Sequence, residues 1–340
     1  MLLDLYLETL RQCDPERLMR ACVTDELPRN VVAIGKCAGA LLDGFGDFDN
    51  AFVAMPEGYR EPRAKNALVH KGGHPDMTPA SFAAGRALIE FVDAHDDITF
   101  LVSGGGSACV DVPLPPHTEE ELIAKNRELV ASGLAIGAMN RVRASLSAIK
   151  GGRLGGRVRG RCVTFIYSDV STGNLQDVAS GPSLRDMRLI ADNTTLVRTA
   201  ARIARERGMH PTVIEEQIEM DVGDAARFLA GARGELVVAG GEPTVVVRGH
   251  GKGGRCSELT VRFALLADRG TALLGSSDGV DGNSGVAGWL LRLPRDFDRE
   301  AAENDLQTSN SAAAAARLAE PIMIPSAGNN LRDLYLLARG

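Results

Sequence analysis

Short apolar runs rich in β-branched residues alternate along this chain with longer stretches of helical periodicity. This alternation constrains the fold more than any single motif, because strands separated by helix-length segments are driven into largely parallel sheets. Strands are expected over residues 31–34, 51–54, 98–102, 163–167, 236–238, 244–247 and 271–274, and helices over 79–95, 118–132, 134–149, 187–207 and 221–232. Thr78 is placed to cap the 79–95 helix, with Pro79 in its first turn. The run Ala312 to Ala316 reads as a good helix former. With 340 residues the chain is long for one core, so two domains are expected. Their boundary is placed around Gly231 to Gly234, giving 1–232 and 233–340, with a division near Pro211 as the alternative.

Composition narrows the function classes. A net charge of -6, with no long basic run, argues against nucleic-acid binding. No apolar stretch approaches the roughly 20 residues that cross a bilayer, so no membrane partner is expected. The N-terminal stretch MLLDLYLETLRQCD carries early acidic residues and reads as an amphipathic helix instead of a signal peptide. Cys13, Cys22, Cys37, Cys109, Cys162 and Cys256 include no CxxC pair, which is neither a disulfide framework nor a zinc site. A reduced, cytoplasmic location follows as the expectation.

Nearly every chemistry-bearing cluster lies just after an expected strand, where open α/β sheets bind ligands. The run GGEPTVVVRGHGKGGRCSE, residues 240–258, joins an expected strand to a loop with four glycines in six residues, and then to Arg255 ahead of a helix over 258–266. Backbone N–H groups there can converge on an anion, and Arg255 adds a fork of donors. Neither a Walker loop nor a dinucleotide fingerprint is present. Lys36 ends the first strand and is either a solvated lysine or a reach into a ligand cleft. The run SGGGSA brings Ser103, Gly104, Gly105, Gly106 and Ser107 after another strand as an anion-binding loop. It lacks the second glycine of a hydrolase nucleophile elbow. Arg141, Arg143, Lys150 and Arg153 either neutralise phosphates or complement a helix C-terminus. Two acidic turns hold Asp169, and Asp278 with Asp281; the latter spacing suits one ion or hydroxyl, although such turns are also simple structure and the EF-hand pattern is missing. His74, in GGHPD, is either a cleft residue or a structural histidine. Lysine, arginine, glycine loops and carboxylates without a nucleophile–histidine pair suit phosphoryl transfer.

In order, GKCAG, GGHPD, SGGGSA, NRVRASLSAIKGGRL, SDV with ASGPS, GGEPTVVV with GKGGRCSE, SDGVDG and AGNNLRDLYLL resemble the glycerate 2-kinase family over about nine-tenths of the chain. The resemblance implies a two-domain α/β fold: a Rossmann-like, doubly wound N-terminal domain, a smaller α/β MOFRL-type C-terminal domain, and an active site in the cleft between them. It implies ATP- and Mg2+-dependent phosphorylation of D-glycerate to 2-phosphoglycerate. By motif, Lys36, Arg255 and Asp278 would be catalytic, and Ser103 to Ser107, Lys150 and Asp169 would hold the nucleotide. Glu242 and His74 would bind substrate, and Asp278 and Asp281 would hold the metal. The implied partners are a small sugar acid and a nucleotide, with a homodimer as the candidate assembly. A hydroxypyruvate reductase label also travels with the family, and a ligand-binding relative without catalysis is the third reading. This chain departs from the family at Ala144-Ser145, where Lys-His is usual, at Asn174-Leu175, where Asp-Asp is usual, and at Cys256-Ser257, where Asn-Gln is usual. Its terminal motif, residues 326–333, departs as well.

Overall fold

The computed structural model describes residues 1–132, 136–171, 173–324 and 328–339. The expected helix start at Leu134, Thr172 of the first acidic turn, and Ser326 and Ala327 of the terminal motif lie outside the described residues. The chain forms two compact units: Asp14–Asp192, and Met1–Cys13 together with Asn193–Gly340.

The Asp14–Asp192 unit is built on six strands, β1 (Asn30–Ile34), β2 (Asn50–Pro56), β3 (Leu68–Gly72), β4 (Ile98–Ser103), β5 (Cys162–Tyr167) and β6 (Met187–Ala191). They pair in the order β3-β2-β1-β4-β5-β6, every pair parallel. That is the order of doubly wound dinucleotide-binding sheets. The inner strands β4 and β5 are buried at every residue, and their mainly apolar sequences suit parallel strands covered on both faces. Among the covering helices, Pro79–Ala94 starts where Thr78 and Ser81 form a capping box, and Glu119–Ala131 starts on Thr118, which accepts from the Glu121 amide at 3.2 Å. The helix expected from 134 is Ile136–Leu146.

The other unit holds β7 (Pro211–Val213), β8 (Leu236–Gly241), β9 (Gly270–Ser276), β10 (Gly288–Leu293), β11 (Ala319–Ile322) and β12 (Asp333–Ala338), in the order β11-β10-β9-β12-β8-β7. Only β7 and β8 run parallel, so the expectation of largely parallel sheets holds for the first sheet and fails for this one. Val237, Ala239, Leu274, Leu291 and Tyr335 pack with Leu229 and Leu259 into one core. The helix Leu2–Gln12 joins this unit, burying Leu5 and Tyr6, and the Tyr6 hydroxyl donates to Ser276 O at 2.5 Å.

Three expectations are corrected here. The 187–207 helix is β6 followed by the helix Asn193–Glu206. No strand forms over 244–247: Val246 and Val247 are 62% and 75% exposed, and only Thr244 makes an isolated bridge, to Asp221. β-branched residues without a neighbouring strand have nothing to pack on. The compact units also do not divide at Gly231–Gly234. The helix Val222–Gly231 and β8 bury Leu229 and Val237 in a common core, and so belong together.

Candidate functional site

In a sheet ordered β3-β2-β1-β4-β5-β6 the connections after β1 and β4 leave toward opposite faces, and ligands bind in the crevice this opens. Lys36 follows β1 and SGGGSA follows β4, so the structure brings these two expected sites together. The Lys36 amide donates to Gly104 O at 2.9 Å, and the Cys37 amide to Ser103 Oγ at 3.0 Å. The Ser103 hydroxyl in turn donates to Ile34 O at 3.3 Å. Ser103 is fully buried and ties the two loops to each other, so its hydroxyl is structural and does not cradle an external phosphate. A Cβ added to Gly105 would stand 2.8 Å from Lys36 Cγ, which shows the lysine stem lying flat on that glycine. Lys36 Nζ lies 5.7 Å from the centre of the Tyr59 ring.

Ser107 heads a chain of polar contacts. Its Oγ is 2.6 Å from Ser180 Oγ, which donates to Asn140 Oδ1 at 2.8 Å. Asn140 Nδ2 donates to Asp177 O at 3.0 Å. Ala179, Ser180 and Gly181 all have positive φ, at 51°, 60° and 62°. Three successive left-handed residues, two of them with side chains, cost energy that the surrounding contacts must offset. Asn140 and Ser180, both buried, back Ser107 and were not singled out in the sequence; the glycine-proline pair after Ser180 was the available signal. Asp169 follows β5 and is half-buried. His74 is exposed and lines a hollow of about 470 Å3 at the ends of β2 and β3, together with Tyr59 and Lys71.

Lys150 is a correction. It is 1% exposed and its ammonium is paired with Asp111, also 1% exposed, to which Ser147 donates as well. Burial pulls the Lys150 pKa down and Asp111 pulls it back up. A lysine so enclosed does not reach a nucleotide. Arg153 donates to the carbonyls of Ala144 and Ser147, at 3.1 Å for the latter, and so completes a helix C-terminus. Arg143 donates to Asn126 Oδ1 at 3.1 Å and Asn140 Oδ1 at 3.3 Å.

In the second unit the helix Arg255–Leu266 begins three residues earlier than expected, with Arg255 as its first residue. The anion at its N-terminus is a side chain of this protein. Asp281 accepts from the Cys256 amide at 2.9 Å, the Ser257 amide at 2.8 Å and the Ser257 hydroxyl at 2.5 Å. Trp289 Nε1 donates to Ser257 Oγ at 2.9 Å. The glycine loop is likewise filled from within: Gly253 N donates to Asn283 Oδ1 at 2.7 Å and Gly251 N to Thr308 O at 3.3 Å. The amides thought to await a ligand are therefore spent on holding the loop. Burial raises the Asp281 carboxyl to about 6, against the pull of the Ser257 donors.

Arg255 itself is half-buried between carboxylates. Its Nε and Nη2 each lie 3.3 Å from Asp333, and its Nη1 lies 2.7 Å from Glu242. Asp333 holds the guanidinium firmly protonated, against burial. Glu242 also lies 3.3 Å from Arg332 Nε, and Tyr335 donates to Asp333 at 3.1 Å. Asp333 was not expected as a site residue, because nothing local in the run LRDLYLL tells a strand-end carboxylate from a solvated one. Asp278 is half-buried and accepts from the Ser276 hydroxyl at 2.8 Å and the Val280 amide at 3.0 Å. Among the described residues no three His, Cys, Asp or Glu side chains gather around one point. Asp281, with both oxygens bonded to donors of its own chain, does not fit the expected metal role. Burial raises the thiol of Cys256 and takes that of Cys109 to about 12, so neither is a nucleophile at neutral pH.

Residues 1–215 match the family described as "Domain of unknown function (DUF4147)", and residues 235–333 match the MOFRL family. A glycerate 2-kinase from Sulfurisphaera tokodaii is 28% identical over 90% of this chain and 89% of its own length. A D-glycerate 2-kinase from Thermotoga maritima is 25% identical over the same shares, 90% and 89%. The chain belongs to the glycerate kinase family. Membership places it among phosphotransferases of the kinase class. The fold agrees: a crystal structure of glycerate kinase from Thermotoga maritima superposes with a TM-score of 0.85 at 24% identity, covering 99% of this chain and 98% of that one. The two family regions cover residues 1–215 and 235–333, whereas the chain divides into compact units after Cys13 and after Asp192.

Proposed function

We propose that this family member transfers the γ-phosphoryl group of ATP to a hydroxyl of a small sugar acid, with D-glycerate as the first acceptor and 2-phosphoglycerate as the product. The observation that carries this reading is Lys36 lying along Gly105 at the point where the sheet order reverses. An ammonium carried on a stem that lies along a backbone loop there suits phosphate oxygens, which gather negative charge as the phosphoryl group transfers. Gly104 to Gly106 allow the phosphates to approach the backbone closely. Arg255, already chelated by Asp333, is oriented to present its remaining N–H donors to a carboxylate or a transferring phosphoryl group. Glu242 shares that guanidinium, so an incoming acid competes with it. Asp278 takes the proton as the acceptor oxygen forms its bond to phosphorus and the bond to the ADP oxygen breaks.

The donor set fits Mg2+ carried on the nucleotide, since such sites use only one or two protein carboxylates. Asp278, half-buried just after the end of β9, would hold it, and when bound it would supply charge neutralisation on the phosphates. The hydride-transfer reading has one observation in its favour, the strand order, but the β1 loop reads GKCAG where a dinucleotide site needs GxGxxG.

The test is an ADP-release assay over a panel of small hydroxy acids, run beside an assay of NADH oxidation with hydroxypyruvate. ATP-dependent turnover is expected, and Lys36→Ala and Arg255→Ala should each lower it by at least about a hundredfold. Near-normal turnover in both variants, or NADH oxidation without ADP release, removes the assignment.

A further inference from the structure

The phosphoryl-transfer steps proposed above do not use the hollow beside His74. It measures about 470 Å3 and lies at the carboxyl ends of β2 and β3 in the Asp14–Asp192 unit. Glu57 is the residue immediately after β2 (Asn50–Pro56), and it lines this hollow with Tyr59, Lys71, Gly73 and His74. Among the described residues Glu57 makes no hydrogen bond or close ion pair; the nearby Lys71 is paired with Glu61 at 2.5 Å and feels Glu57 as a second, more distant negative charge. The Tyr59 ring on the wall of the hollow is also the ring that Lys36 Nζ approaches to 5.7 Å.

A nucleotide whose phosphates sit between the β1 and β4 loops can extend its nucleoside toward β5 or toward β2 and β3. Toward β5 the Ser107 hydroxyl is engaged by this chain's own Ser180, which in turn bonds Asn140. The β2–β3 side carries the hollow. In doubly wound sheets an acid at the end of the second strand is placed to accept from ribose hydroxyls. A hollow of this size is within the range that takes a nucleoside, on the order of 300–1,000 Å3.

We propose that this hollow is the nucleoside half of the nucleotide site, with Glu57 accepting hydrogen bonds from the ribose hydroxyls and Tyr59 forming an aromatic wall for the base. The inference rests on the kinase reading and deepens it. It assigns His74 to the nucleoside side, away from the substrate-binding role its motif implies.

The experiment is an equilibrium titration of the full chain with ATP and with 2′-deoxy-ATP, for wild type, Glu57→Ala and Glu57→Gln, with ADP-release kinetics measured in parallel. Wild type should prefer ATP by at least about tenfold, the usual worth of a hydrogen bond to a charged acceptor. Glu57→Ala should lose that preference by weakening ATP alone, raising KM for ATP while leaving kcat near wild type. Glu57→Gln, which keeps an acceptor oxygen, should recover part of the preference. Equal binding of the two nucleotides by wild type, or undiminished preference in Glu57→Ala with turnover intact, overturns the proposal and leaves the kinase reading standing. Absence of ATP-dependent turnover with every acceptor removes the kinase reading and this inference with it.

Discussion

Lys150 and Lys36 show how differently two lysines behind glycine-rich sequence can be used. Lys36 lies on a glycine with its ammonium at a loop surface, whereas Lys150 and Asp111 are each 1% exposed and pair inside the unit. A buried ion pair contributes little net stability, yet removing one partner leaves an uncompensated charge. Lys150→Met should therefore lower unfolding free energy by about 3–5 kcal/mol, while Lys150→Met with Asp111→Leu should recover most of that loss. Denaturant unfolding of both variants checks this. A nucleotide-binding role for Lys150 would instead show as a weakened ATP affinity at unchanged stability. The basic residues of the 141–153 stretch were open to both readings in the sequence, because charge type and spacing do not reveal whether a side chain points into a core.

Arg255 owes its position to an element, the N-terminus of the helix Arg255–Leu266, and that end is clamped by Asp281. Burial holds the Asp281 carboxyl at about 6, above its ordinary value near 3.9. The native state therefore binds more protons than the unfolded chain between those values, and stability falls as pH rises across them. The contribution is fully present below about pH 4 and gone above about pH 6, on the order of 2–3 kcal/mol. Urea unfolding at pH 4.5 and pH 7 should show the difference between wild type and Asp281→Asn shrinking at the higher pH; a difference independent of pH would contradict the linkage. β1, β2, β4, β5, β8 and β9 were legible as short, mainly apolar runs, and Thr78 announced its helix, but the interior strands β10 and β12 were missed. The edge strands were missed as well. β6 carries three exposed residues in five and an arginine, so its pattern blends into the helix that follows. The glycine loop before Arg255 was found, but its anion was sought outside the chain, since Asp281 meets it only after a fold that local pattern does not encode.

At the scale of the whole molecule, compactness and sequence order diverge. The helix Leu2–Gln12 buries Leu2, Leu5, Tyr6 and Leu10 in the unit formed by residues 193–340. Each such side chain is worth about 1.5–3 kcal/mol, which together rivals the 5–15 kcal/mol that typically holds a domain. Deleting residues 1–13 should destabilise that unit selectively, read as loss of amide-exchange protection in β8 and β12 with protection in β1 and β4 retained. Uniform loss in both sheets, or none, would contradict this division. Strand β12 lies between β8 and β9 and carries Asp333, the carboxylate that grips Arg255. During synthesis, β8 and β9 leave the ribosome with no strand to join them, and Arg255 is made before its principal counter-ion. Since chains emerge at roughly 5–20 residues per second, the Asp14–Asp192 sheet has several seconds to fold while the other remains in halves. The kinase reading thus carries a schedule: the Lys36 loops are complete early in translation, and the Arg255 constellation closes only once residues 333–338 have been added.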